Sequence, residues 1–151
     1  VKGKWCYLYR AIDEQGNLID SMLSPQRDLE AAKAFFEQAT TIADPPKKVV
    51  TDGLASYPRA VRETLGEDVE HEVRGCQGNP IEQSHRRVKR RYYPTLGFGE
   101  FKTAQSFCQT VDEIAQFLRP RARMTEFVCL SEQRQVFRER ISELETLFQS
   151  A

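Results

Sequence analysis

Two carboxylates and one run of basic residues hold the chemistry that this chain can offer. The first carboxylate is Asp52, in V-V-T-D-G, where a short apolar strand runs out into Gly53. A carboxylate at the C-terminal end of a strand in an α/β layer lies where such folds place their ligands. A plain D-G turn or an Asx cap uses Asp at the same place equally well. The second is Glu82, in N-P-I-E-Q-S-H-R-R-V-K-R-R, residues 79–91. Asn79 suits an N-cap and Pro80 the first helical position, which makes Glu82 the third helical residue. Glu82 then either closes a capping box on the Asn79 N–H or leads the row of side chains behind it. The helical period puts Glu82, His85, Arg86 and Lys89 on one face and Ile81, Ser84, Val88 and Tyr92 on the opposite one. Arg86, Arg87, Lys89, Arg90 and Arg91 put five positive charges in six residues, which suits a phosphate backbone. Phosphoryl transfer with a divalent metal needs carboxylates converging from separate elements, and Asp52 and Glu82 lie on separate elements.

The rest of the chain bounds this reading. With 151 residues, 40% hydrophobic and 29% charged, it has the length and composition of one folded domain. Net charge is zero, yet residues 74–102 hold seven Lys or Arg against two Glu, so the remainder is acidic. Such asymmetry marks a surface without naming a chemistry. Cys6, Cys76, Cys108 and Cys129 form no C-x-x-C pair, and His71 and His85 have no ligand spacing, so reduced inert thiols are expected and zinc is not. No long apolar run suggests a membrane span.

The positioning elements follow from periodicity. Trp5 to Ile12 reads as a buried strand, and Leu18 to Leu23 as its hairpin partner. Asp28 caps a helix with Leu29, Ala32, Phe36 and Ala39 at helical spacing, and Asp44-Pro45-Pro46 breaks it. Lys48 to Thr51 is a short strand, Ser56 to Leu65 a helix, and Val69 to Val73 a further strand. The basic helix runs from Pro80 to about Tyr93, with a loop over residues 94–99. Phe101, Ala104, Cys108, Val111, Ala115 and Leu118 make an amphipathic helix, and R-P-R-A-R (residues 119–123) a basic linker. Ser131 opens a last helix whose Phe137, Ile141, Leu144 and Phe148 are expected to dock on the domain, being too short for a secure coiled coil.

T-D-G-L-A-S-Y-P, N-P-I-E-Q-S-H-R-R-V-K-R-R and L-G-F-G-E-F-K-T-A, in this order, resemble the catalytic region of insertion-sequence DDE transposases, relatives of retroviral integrases. W-C-Y-L-Y-R-A-I-D, L-S-P-Q-R-D and the helical tail fit the same family, so the resemblance covers nearly the whole chain. It implies an α/β, RNase H-like mixed sheet flanked by helices, with C-terminal helices added: a catalytic domain over residues 1–118 and a linker and helix over 119–151. It implies that Asp52 and Glu82 are the second and third acidic residues of the catalytic triad and hold Mg²⁺ or Mn²⁺. Lys89, with Arg86, Arg87, Arg90 and Arg91, would contact DNA. The implied reaction is metal-dependent cleavage at transposon ends, then attack of a 3′-hydroxyl on target DNA. Transposon-end and target DNA would be the partners, a homo-oligomer the assembly, and the nucleoid of a prokaryotic cytoplasm the setting. The family's first Asp lies on a strand shortly before the G-K-W found here at residues 3–5, so this chain is expected to lack that Asp and that first central strand. Asp13 matches a different position. The family favours two Asn where this chain has Gly78 and Asn79, and Asp where it has Ser84. A non-catalytic DNA-binding remnant using the basic helix and the 119–123 linker is the alternative, and an RNase H-like nuclease or resolvase a third reading.

Overall fold

The computed structural model describes residues 1–75, 80–120 and 126–150. Strand β1 (Tyr7–Ile12) pairs antiparallel with β2 (Leu18–Ser24), Tyr7 opposite Ser24, with a register shift at Ala11/Ile12. The Asp13 carboxylate accepts from the Asn17 N–H and from Asn17 Nδ2, both at 2.7 Å, so Asp13 serves the turn. Helix α1 (Leu29–Ile42) starts where expected: Asp28 Oδ1 accepts from the Ala31 N–H at 2.9 Å. Strand β3 (Lys48–Thr51), helix α2 (Tyr57–Leu65) and strand β4 (Glu70–Val73) form a crossover unit, with β3 and β4 parallel and Thr51 opposite Val73. Helix α3 (Pro80–Tyr92), a 3₁₀ turn (Tyr93–Thr95), α4 (Phe101–Phe117) and α5 (Leu130–Gln149) complete the order.

Period-two alternation along β1 decides which helices cover which face. Tyr9 and Ala11 face α1 and α2, in a core with Ala31, Ala32, Phe35, Phe36, Ala60 and Val61. The alternate residue Leu8 packs with Phe107, Cys108 and Val111 of α4 and Val88 of α3. Arg10 shares the Leu8 face and is buried there against Asp112 of α4. The hairpin thus lies between two helical layers.

The strands make two separate two-stranded ladders, β1–β2 and β3–β4. Among the described residues no ladder joins β1 to β3, so each keeps one edge without a strand partner. Val49 of β3 and Ala11 of β1 both pack against the shared α1/α2 core.

Three expectations change at the C-terminal end. Helix α5 has no fully buried residue; in its expected stripe Ile141 and Leu144 are half-buried while Phe137 and Phe148 remain 48% and 80% exposed, so the stripe is covered only in part. One tie to the rest is Arg140, whose guanidinium lies over the Phe117 ring and donates to the Phe117 carbonyl. Cys129, not Ser131, caps this helix, with Glu132 reaching back to the Cys129 N–H at 3.0 Å. Arg119 is also not a free linker cation. It donates to Asn17 Oδ1 at 2.5 Å and to the Gln15 carbonyl at 2.8 Å, and so clamps the β1–β2 turn to the end of α4.

Candidate nucleic-acid-processing site

Asp52 stands one residue beyond β3, where the backbone leaves the ladder through Gly53 at φ +85°. Its Oδ1 accepts from the Leu54 N–H at 3.3 Å, which is the turn use of Asp. Its Oδ2 faces Arg27 Nη2 at 3.4 Å, with side chains 44% (Arg27) and 36% (Asp52) exposed. The strand end beneath is fixed by Thr51 Oγ1 and His71 Nε2, 2.9 Å apart across the β3–β4 pair. Behind Asp52 stands an aromatic wall. Tyr57 meets Tyr9 and Phe36 edge-on at centroid distances of 6.4 and 5.9 Å. Burial, and then the Asp52 charge, push the Tyr57 phenol up to about 12. Tyr57 therefore stays protonated at neutral pH.

Glu82 lies in the first turn of α3, half-buried, and its Oε1 faces Lys89 Nζ at 3.5 Å. The Asn79 N–H, its expected capping partner, is outside the described residues, as are Cys76, Gly78 and residues 121–125. Arg86, Arg87, Lys89, Arg90 and Arg91 are all exposed, whereas Val88 is 5% exposed and packs inward. The helix therefore turns its basic side outward, as its period requires. His85 is the exception on that face. Burial, Arg10 and Lys89 lower its pKa, while Glu82 and Asp52 oppose them.

Among the described residues no group of three or more His, Cys, Asp or Glu side chains is close enough to hold a metal ion. The Asp52 and Glu82 carboxylates are oxygen donors, the kind that a hard ion such as Mg²⁺ or Mn²⁺ takes. They fall short of a three-carboxylate set.

A family model described as a DDE domain matches residues 1–120, spanning both carboxylates and the whole basic helix. The chain belongs to the DDE-type transposases of insertion sequences. Over 96 residues it is 40% identical to the transposase for insertion sequence-like element IS431mec of Staphylococcus aureus strain Mu50, covering 60% of this chain and 42% of that protein. The same identity and coverage hold for the transposase for insertion sequence element IS257 in transposon Tn4003, also from Staphylococcus aureus. An uncharacterized protein of Yersinia pseudotuberculosis is 36% identical over 70 residues, 44% of this chain and 65% of its own length. The chain thus spans 42% of the length of the curated staphylococcal transposases it matches. No solved structure matches it. No helix among the described residues of this DDE-family chain is long and apolar enough to cross a membrane.

Sequence reading of this DDE domain missed two charged partners. Arg27 was visible only as part of L-S-P-Q-R-D, without a role. The buried Arg10–Asp112 pair left a fainter signal: one charge inside an otherwise apolar strand, and one next to Val111 on the apolar face of α4.

Proposed function

We propose that this chain is the DNA-processing core of an insertion-sequence transposase, of RNase H-like architecture, with Asp52 and Glu82 as two of its acidic residues. The observation that supports this best is the DDE-domain match across residues 1–120, which spans Asp52, Glu82 and the basic row of α3 that begins beside Glu82. Arg86, Lys89 and Arg90 would hold the phosphate backbone, with Arg87 and Arg91 on its flank. Lys89, already drawn toward Glu82, would fix the register of the DNA against the carboxylates. His85, its pKa lowered, would be neutral at pH 7 and add no charge to that face. A divalent ion, when bound, would supply Lewis-acid stabilisation of charge on the reacting phosphate. In cleavage, water's oxygen bonds to phosphorus as the bond to the transposon 3′-oxygen breaks. In joining, that 3′-hydroxyl attacks a target phosphate and a target oxygen leaves with a proton. Cleavage at transposon ends and joining to target DNA by a homo-oligomer is the activity proposed for the whole protein, in a bacterial cytoplasm at the nucleoid.

The exposed basic side chains along α3 favour a second reading for this chain alone, DNA binding without catalysis. One experiment separates the two. The 151-residue chain is incubated with Mn²⁺, a pre-cleaved transposon-end duplex and a target plasmid. Binding without strand-transfer products is expected, because in-line displacement between two metals needs a further carboxylate. Products abolished by Glu82→Gln would establish the complete catalytic reading instead. Arg86→Ala, Lys89→Ala and Arg90→Ala together should weaken binding to any duplex and lower its salt slope by about one unit per lost phosphate contact. Unchanged binding would remove α3 as the interface.

A further inference from the structure

Each candidate carboxylate is paired with a basic side chain, and the two pairs share one geometry. Lys89 stands 3.5 Å from Glu82 and Arg27 stands 3.4 Å from Asp52. Both are single, long contacts between accessible groups. An Arg–carboxylate pair built for stability is shorter and commonly bidentate. An exposed pair of this kind adds little to the fold. Arg27 also has an awkward address. It precedes Asp28, the N-cap of α1, so a cation sits at the positive end of a 14-residue helix. That position is unfavourable unless an anion stands opposite, and in this structure the anion is Asp52. Its side chain is 44% exposed, so much of it is open to a partner from solvent.

We propose that Arg27 is a DNA-phosphate contact of this site, held on Asp52 while no DNA is bound and transferred to a phosphate when a duplex docks. The inference rests on the reading of Asp52 and α3 given under Proposed function. It adds a second element, the loop before α1, to the DNA-binding surface and places it across the site from α3. The chemistry favours the exchange. A guanidinium fork matches a phosphate's paired oxygens better than the single Asp52 oxygen it meets here. The same exchange by Lys89 would free Glu82, so a docking duplex would release both carboxylates together.

The test is duplex binding by the 151-residue chain in EDTA, with salt dependence, for the unmodified protein, Arg27→Gln, Asp52→Asn and the double variant. Arg27→Gln should lower the salt slope by about one unit, and Arg27→Lys should restore most of it. Asp52→Asn frees Arg27, so it should tighten binding about two- to five-fold, the range of an exposed ion pair. In the Arg27→Gln background that gain should shrink. An unchanged slope in Arg27→Gln overturns the proposal. So does an Asp52→Asn gain of equal size in both backgrounds, which would be general repulsion of DNA by Asp52. The underlying reading is judged separately: if the Arg86, Lys89 and Arg90 variants leave binding unaltered while Arg27→Gln weakens it, α3 fails as the interface and Arg27 stands. Circular dichroism of Arg27→Gln checks the fold.

Discussion

Asp112→Ala should be among the most damaging single changes in this chain. Arg10 Nη1 and Asp112 Oδ1 lie 2.7 Å apart, and both side chains are only 2% exposed. The approach is off the line of a hydrogen bond, so Arg10 Nε and both Asp112 oxygens have no directed partner among the described residues. At an effective dielectric near 20, the charges attract by about 6 kcal/mol. Desolvating two ions offsets much of that, so the pair as a whole contributes little net stability. Removing one member is different, because the other stays buried and uncompensated; the cost is about 3–5 kcal/mol. Arg87 adds to it. Burial and the Arg10 charge already lower its pKa, with Asp112 opposing them, and Asp112→Ala removes that opposition. A loss of this size approaches the whole stability of an average domain. Urea unfolding followed by far-ultraviolet circular dichroism is the assay, since Trp5 is 85% exposed and is a poor fluorescence reporter. Arg10→Met with Asp112→Leu should recover most of the loss. A cost below about 1 kcal/mol for Asp112→Ala, or a double variant no better than the single one, would refute the reasoning.

Two further outcomes follow from the same structure. Burial, and then the Asp112 charge, push the Cys108 thiol up to about 11 from 9.0. Through this group the folded chain binds more protons than the unfolded one between those pH values, so stability should fall as pH rises through about 9 to 11, by up to about 2.7 kcal/mol from Cys108, a share that Cys108→Ala removes while that of Tyr57 remains. Gly53→Ala places a Cβ 3.0 Å from Val73 Cγ1 at a backbone φ of +85°. That should cost about 1–3 kcal/mol in urea unfolding and displace Asp52 with the turn.

What could be read in advance was whatever depends on local rules. Asp28 as cap, Pro80 as helix start and Lys48–Thr51 as strand follow from side-chain chemistry and periodicity within a few residues, and the structure has them there. The outward basic side of α3 follows from Val88 facing the core. The missed features are contacts between distant segments: Arg27 with Asp52, Arg10 with Asp112, Arg119 with Asn17. A charge inside an apolar period reveals that a partner must exist, not which one. Helix α5 shows the converse, since an apolar stripe reveals a face to be covered but not whether this chain covers it.

The split between the two ladders has a mechanical consequence for the site. Within one ladder, hydrogen bonds hold neighbouring strands about 4.8 Å apart with little play. Arg27 follows β2 and Asp52 follows β3, so the two residues belong to different ladders. Their separation is therefore set by side-chain packing, chiefly Tyr9, Phe35, Phe36 and Tyr57 against one another at ring-centroid distances of 5.6–6.4 Å. Such packing resists compression well but opposes shear weakly, because van der Waals contact has no direction. The distance between the two residues thus depends on ring packing and on their own ion pair, and among the described residues on no strand ladder.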